Sequence, residues 1–130
     1  MSTGSAPPPG EAWPLTGNFW TQQAGETELM LGQVRVRHPS ACDGADQYPG
    51  YASVNVLIDG DYVGSAYVGF YQGIAGRTQT IGLYFYPMGG MMAPDANANH
   101  IMTAKVADFC TGAGQDFTFE SFKVDIIGAR

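Results

Sequence analysis

The C-terminal half of this chain alternates strand-like runs, rich in tyrosine and phenylalanine, with glycine-rich turns. The clearest runs are residues 81–86 (IGLYFY), 101–106 (IMTAKV) and 117–127 (FTFESFKVDII). Aromatic and β-branched residues favour strands, and a hydrophobic period of two is typical of a strand with one buried face. No segment of useful length has the 3.6-residue period of a helix. The pattern therefore restricts the chain to an all-β fold.

Further strands are predicted over residues 27–38, 51–58, 62–71, 77–86 and 99–110. Asp59-Gly60 lies between two of them and is a strong hairpin signal, because a type I′ turn needs a positive φ at both central residues. In the return strand, Tyr62 shares the parity of the apolar residues Ala66, Val68 and Phe70, which predicts that it faces inward. Consecutive strands of this kind predict an antiparallel β-sandwich, with immunoglobulin-like and jelly-roll topologies both open.

Two irregularities and one long loop are expected. Leu29 and Leu31 have the opposite parity to Val34 and Val36, so a bulge at Gly32 would reset the register. A second bulge is expected near residues 120–121, because the parity of the phenylalanines changes there. Residues 87–99, with three methionines among glycines and prolines, are predicted to be a loop.

Composition excludes some classes of partner. The chain has 130 residues, a formal net charge of −6 and only 14% charged residues, against about 25% in an ordinary soluble protein. The few basic residues are scattered, which argues against nucleic acid. No apolar run approaches the ~18 residues of a membrane span. A surface poor in charge but carrying 7 Tyr and 7 Phe predicts contact with other chains, including copies of this one.

The first 17 residues are rich in Ser, Thr, Gly and Pro and include Pro7-Pro8-Pro9. We expect a flexible arm over residues 1–17 and a single sandwich domain over residues 18–130. The arm is either a tail or a segment that lies on a neighbouring subunit, with Trp13, Phe19 and Trp20 as anchors. The start has no basic region followed by an apolar one, so a secretory signal is not expected.

The two cysteines, Cys42 and Cys110, allow two interpretations. A disulfide would close a loop of about 68 residues and contribute about 4 kcal/mol in the chain-entropy model. Synthesis and assembly in the cytosol favour two free thiols instead. With only His38 and His100 besides, the paired ligand spacing of a zinc site is missing.

No catalytic or metal site is predicted, and no cofactor. Only His38 and His100 could act as a base, and no serine lies in a nucleophile elbow, so we expect a protein that is not an enzyme. The alternative hypothesis is that the chain is a small hydrolase in which His38 or His100 acts as the base. The alternating Asp95, Asn97 and Asn99 resemble the start of a calcium loop, but the glycine and the acidic residue of an EF-hand are absent.

Four tyrosines form the main candidate site. Tyr67, Tyr71, Tyr84 and Tyr86 have the outward parity of two strands that we expect to be adjacent. Exposed rings on a sandwich can stack on the sugars of a glycan. Tyrosine is also enriched at protein interfaces, so a subunit contact is the other interpretation.

The last 32 residues, 99–130, resemble the ends of small β-sandwich modules in tailed phages of actinobacteria. The residues that carry the resemblance are His100, the alternation Met102-Ala104-Val106, Cys110 and the closing Phe122-Val124-Ile126. The match covers about a quarter of the chain and implies a minor tail, tail-tip or capsid-decoration protein. It implies that the partners of this chain are other virion proteins. It also implies that the chain is made in the host cytoplasm and is located in the virion. It brings no catalytic residues with it. A carbohydrate-binding module for a host glycan is the alternative.

Overall fold

The computed structural model describes residues 2–3, 12–13, 15–16, 19–42, 50–86, 91–95, 98–108, 110 and 117–129. Twelve strands and one short 3₁₀ turn lie within them. The strands are β1 (Ser2–Thr3), β2 (Ala12–Trp13), β3 (Leu15–Thr16), β4 (Phe19–Gln22), β5 (Glu26–Arg37), β6 (Tyr51–Ile58), β7 (Asp61–Gly69), β8 (Thr78–Gly82), β9 (Tyr84–Phe85), β10 (Met91–Asp95), β11 (Ala98–Asp108) and β12 (Thr118–Ala129). The 3₁₀ turn is Gln72–Ile74. The all-β prediction is confirmed.

The strands form two antiparallel sheets. Sheet A has the order β10-β5-β12-β1-β3, with β8 also paired to β5. Sheet B has the order β2-β11-β6-β7-β9, with β4 also paired to β11. The Asp59-Gly60 turn joins β6 to β7, and both residues have the positive φ that the hairpin requires, 53° and 87°. The arrangement is a sandwich-like all-β fold.

The core lies between the two sheets. Sheet A contributes alternate residues of β5 and β12, and sheet B contributes alternate residues of β6, β7 and β11. The largest fully buried apolar side chains are Phe122, Met102, Val34, Val36, Val54, Val56 and Val124. Strand parity predicts these inward positions because successive side chains of a strand point to opposite faces.

The bulge predicted at Gly32 is wrong. The β5–β12 ladder continues through Gly32 without a register shift, and the buried residues Met30 and Val34 lie on either side of it with the same parity. Leu31 therefore faces outward and is 52% exposed. A Cβ at Gly32 would lie 2.5 Å from Cδ1 of Leu83 and 3.2 Å from Cγ2 of Val124, so a larger residue would require these side chains to shift.

The second predicted bulge is confirmed. The β5–β12 register shifts between Phe119 and Ser121, so Phe119 and Phe122 both face the core although their positions differ by an odd number. On the outer face, Glu120 accepts from Arg35 at 2.9 Å and from Arg37 at 2.8 Å. These are exposed pairs, which contribute little to stability.

The predicted strand over residues 77–86 divides between the two sheets. Its first part, β8, pairs with β5 in sheet A, and its second part, β9, pairs with β7 in sheet B. The chain changes sheet at Leu83, whose amide donates to the carbonyl of Gly32. Gly64 permits the close approach of β9, because a Cβ there would lie 2.7 Å from the carbonyl oxygen of Tyr84.

The predicted loop over residues 87–99 contains strand β10, which pairs with β5. Of the calcium candidates, Asp95 ends β10 and Asn99 belongs to β11, while Asn97 lies outside the described residues. The Asn99 side chain accepts a hydrogen bond from the hydroxyl of Thr21 at 2.7 Å.

Part of the predicted arm belongs to the sheets. Within residues 1–17, β1 pairs with β12 and β3, and β2 pairs with β11 of the same chain. Strand pairing uses backbone N–H and C=O groups, which all residue types except proline carry in full, so the composition of this segment gave no sign of it. The Trp13 backbone pairs with Ala104, while residues 4–11, which include the three consecutive prolines, lie outside the described part of the chain.

Candidate functional site: a tyrosine face on sheet B

The outward face of sheet B presents five tyrosines, which we call the tyrosine face: Tyr51, Tyr62, Tyr67, Tyr84 and Tyr86. Their exposed fractions run from 40% for Tyr51 to 67% for Tyr62. Aromatic side chains bury more area than most others when a partner covers them. A group of exposed rings on one sheet is therefore a candidate contact surface.

Strand register brings these rings together. Tyr67 lies opposite Ser53, and Ser65 lies between Asn55 on β6 and Tyr84 on β9. Tyr84 and Tyr67 are thus diagonal neighbours on adjacent strands, within reach of aromatic side chains. The hydroxyl of Tyr86 lies 3.1 Å from that of Ser65, which places Tyr86 against the same face.

The rings of the tyrosine face meet at angles. Tyr51 and Tyr67 have centroids 6.2 Å apart and planes tilted by 42°. Tyr84 and Tyr86 are 5.4 Å apart and nearly edge-to-face, at 62°. Both distances are within the range of favourable aromatic pairs. The two pairs therefore do not make one flat plate.

Three of the four predicted tyrosines lie on this face, namely Tyr67, Tyr84 and Tyr86. Tyr71 is 63% exposed but follows β7, and its ring covers the 3₁₀ turn at Gly73. Sequence reasoning missed Tyr51, although its outward parity on β6 was available as a signal.

Tyr62 was also missed, and its predicted inward position is wrong. The β6–β7 register shifts between Val56 and Leu57, so Tyr62 pairs with Leu57 and turns outward. Nothing in the local alternation of residues 62–71 indicated that irregularity.

A second cluster, which we call the polar network, closes one end of the sandwich. His100 is 5% exposed, and its Nδ1 lies 2.6 Å from Oδ2 of Asp59 while its Nε2 lies 2.9 Å from Oε1 of Gln22. Asp59 also accepts from the amide of Ile101 at 2.9 Å. Gln22 donates through Nε2 to the carbonyl of Glu26.

Two of the expected arm anchors lie on β4. Phe19 is exposed. Trp20 packs on the core and on His100, and its indole N–H donates to the buried Glu28 at 2.8 Å.

The Asp59–His100 pair resembles the Asp–His pair of a hydrolytic triad, but the partner of the second ring nitrogen differs. In a triad the second ring nitrogen of the histidine faces a nucleophilic hydroxyl or thiol. Here it faces the amide oxygen of Gln22, and the other candidate base, His38, is buried with its Nε2 on Oε1 of Gln79. The partner of Nε2 is thus a glutamine amide oxygen in both histidines.

The network holds Asp59 in its ionised form. Partial burial raises the pKa of Asp59, but the hydrogen bonds from His100 and Ile101 and the charge of His100 lower it. The lowering effects dominate, so the pKa of Asp59 lies below its ordinary value. Ionised Asp59 therefore stabilises the fold above its unfolded pKa, and this contribution is lost as the pH falls through the folded one.

We accordingly expect Asp59→Asn to remove part of the acid sensitivity of the protein. Asparagine also adopts the positive φ of this turn, so the hairpin is retained. The variant should unfold more easily than the wild-type protein at neutral pH, and the difference should shrink as the pH falls below about 4, near the ordinary pKa of aspartate. Urea unfolding at several pH values measures this, and a constant difference at all pH values would contradict it.

The two cysteines are joined, so the alternative of two free thiols is wrong. The Cα atoms of Cys42 and Cys110 lie 5.1 Å apart in the bridge. The two residues follow β5 and β11, so the bridge links sheet A to sheet B beside the core. Two cysteines so far apart in sequence gave no sign of this proximity before the sheets were known.

A cleft of about 370 Å³ opens beside the polar network. It is lined by Trp20, by the carboxylates of Glu26, Glu28 and Asp125, and by parts of β12. Within the described ranges, no group of three or more histidine, cysteine or acidic residues is arranged to hold a metal ion. No helix of the described chain is long and apolar enough to cross a membrane.

Comparison of the chain with models of protein families, with curated proteins and with solved structures gives no match. A function for this chain is therefore best inferred from the tyrosine face.

Proposed function

We propose that this protein is a contact module, not an enzyme, whose tyrosine face binds another protein as a decoration or tail component of a phage virion. The observation that carries the proposal is the grouping of five exposed tyrosines on the outward face of one sheet. Tyrosine supplies a large apolar ring with a polar tip, which suits a surface that is wet before binding and buried afterwards.

The area available supports a protein partner. An aromatic side chain buries roughly 150–250 Å² when fully covered. Because the five rings are 40–67% exposed, covering them would bury roughly 420–700 Å², a large part of the ~800 Å² that each partner contributes to a standard interface. The rings are tilted to one another, and protein interfaces fill such relief with interdigitating groups.

Two further features support a virion component. The Cys42–Cys110 bridge suits a protein that functions outside a reducing compartment, as a released particle does. The low share of charged residues, 14%, suits a surface that other chains cover. The resemblance of residues 99–130 to phage β-sandwich modules points in the same direction.

Truncation of the tyrosine face should weaken association. We expect Tyr67→Ala and Tyr84→Ala each to raise the dissociation constant at least tenfold, because central aromatic residues of an interface often contribute 2 kcal/mol or more. The measurement is sedimentation of the full chain alone and with purified virions. Tyr71→Ala is the matched control, since Tyr71 is equally exposed but lies on the neighbouring turn. A wild-type protein that stays monomeric and never associates with particles would count against the proposal.

Glycan binding is a second candidate, favoured by one observation. A polar row of Lys105, Asn55 and Ser65 lies beside Tyr84 on the same face. Aromatic rings next to amide and hydroxyl groups can bind a pyranose by stacking and hydrogen bonds. Binding of the wild-type chain to a glycan array, abolished by Tyr84→Ala and retained by Tyr71→Ala, would select this candidate.

A further inference from the structure

The cleft beside the polar network is a candidate site for a small ligand. It lies between the sheets, with Trp20 on β4 of sheet B and the other lining residues on β5 and β12 of sheet A. Its volume of about 370 Å³ falls within the range of sites that bind small molecules. What the cleft can bind is determined by its carboxylates.

Glu28 is a buried carboxylate that lines this cleft. It is only 2% exposed and has the parity of the core residue Met30, so its side chain points between the sheets. Its Oε2 accepts from the indole N–H of Trp20 at 2.8 Å. Among the described residues, no side chain donates to its Oε1, and no basic group pairs with it. Because burial removes hydration, such an oxygen ordinarily has a donor or a cation beside it.

Glu26 adds a second carboxylate to the cleft. A Cβ at Gly128 would collide with the Glu26 carboxyl group, so the absence of a side chain at Gly128 leaves room for it. Asp125 is the third acidic residue of the lining, but its carboxylate already lies 3.7 Å from the ammonium of Lys123. The cleft therefore has two carboxylates that no cation of the described chain neutralises.

We infer that the cleft binds the ammonium group of a primary aliphatic amine, which donates to Oε1 of Glu28 and to the Glu26 carboxylate. The three N–H groups of an ammonium suit two acceptors that converge from one strand. The Trp20 ring, which also lines the cleft, adds the attraction of an indole for a cation, and Ile126 offers an apolar contact to the alkyl chain. The inference is independent of the proposed contact function, because the tyrosine face is the outer face of sheet B.

Other cations fit the cleft less well. A guanidinium binds most strongly when it donates to both oxygens of one carboxylate, but Trp20 already occupies Oε2 of Glu28. Calcium takes six to eight oxygen ligands, and within the described ranges no group of three histidine, cysteine or acidic residues is placed to hold a metal. A quaternary ammonium has no N–H to donate to Oε1.

The test is a titration of the full, ¹⁵N-labelled chain with 1,4-diaminobutane at about pH 7, where primary amines are protonated. We expect a saturable shift of the Trp20 indole N–H signal, which Trp13→Phe identifies because the chain has only two tryptophans. Tetramethylammonium should bind at least about tenfold more weakly, since it cannot donate a hydrogen bond to a charged group. Nα-acetyl-lysine amide distinguishes the source of the amine: binding indicates a lysine side chain of a partner, and no binding indicates a free amine.

Two variants test the two carboxylates. Glu28→Gln should raise the dissociation constant of the diamine about tenfold or more, because it removes the charge from the acceptor but keeps an amide oxygen for Trp20. Gly128→Ala should also weaken binding, because its methyl group displaces the Glu26 carboxyl, and it leaves the buried Glu28 untouched. Glu120→Gln is the matched control, since it removes the same charge from the outer face of sheet A and should change the constant by less than about twofold.

Three results would overturn the inference. The first is a Trp20 indole signal that the diamine does not move. The second is an equal loss of binding in Glu120→Gln and in the cleft variants, which would mean attraction to the net charge of the chain alone. The third is equal binding of tetramethylammonium and the diamine. If Glu28→Gln fails to fold, the comparison of Gly128→Ala with Glu120→Gln gives the decision.

Discussion

Removing the Cys42–Cys110 bridge is expected to lower the free energy of unfolding by about 4 kcal/mol. The bridge closes a loop with a sequence separation of 68 residues, and its absence would restore the conformational entropy of that loop to the unfolded chain. Because a domain of this size is stable by only about 5–15 kcal/mol, the loss would be a large share of the total. Urea unfolding of the double variant Cys42→Ala/Cys110→Ala measures it.

Reduction of the wild-type protein should reproduce the effect of the double variant. Addition of a thiol reductant is expected to lower the unfolding midpoint of the wild-type protein and to leave that of the double variant unchanged. The variant thus controls for effects of the reductant on other groups. If the oxidised and reduced wild-type proteins unfolded at the same denaturant concentration, the bridge would have no part in stability.

The second large effect is expected for Phe122→Ala, at about 3–5 kcal/mol of destabilisation. Phe122 is fully buried on β12, opposite Val34 of β5, and it belongs to the central layer of the core. Truncation removes the transfer free energy of the ring and leaves a cavity that the two paired sheets cannot close. Chemical denaturation of the purified variant gives the value.

Phe19→Ala is the matched control for this truncation. The Phe19 ring is 63% exposed on β4, so its removal should change the free energy of unfolding by no more than about 0.5 kcal/mol. Equal effects of the two substitutions would mean that Phe122 is not part of a packed core.

The outward position of Tyr67 and Tyr84 could be predicted because it follows from strand parity, and the structure agrees. Strand parity predicted the wrong side for Tyr62, because the register shifts between β6 and β7. It also predicted a bulge at Gly32 that is absent, because Leu31 is an exposed apolar residue that interrupts the expected alternation. A pattern of hydrophobicity cannot distinguish a bulge from an outward apolar residue.

The polar network was beyond prediction from sequence. His100 and Asp59 are separated by 41 residues, and Gln22 is 78 residues from His100. Their meeting depends on β4 and β6 both pairing with β11, on opposite sides of that strand. The same holds for the disulfide, which needs the ends of β5 and β11 to be neighbours.

The sequence by itself determined that the chain is all-β, where most strands lie and which residues of most strands face inward, because the alternation of side chains along a strand is a local property of the backbone. Only the tertiary structure decided that residues 77–86 divide between two sheets, that Tyr62 turns outward, and that Cys42 meets Cys110 and His100 meets Gln22. Those outcomes depend on which distant strands pair and in what register. The free energy of such pairing is summed over the whole core and is not encoded in any one segment.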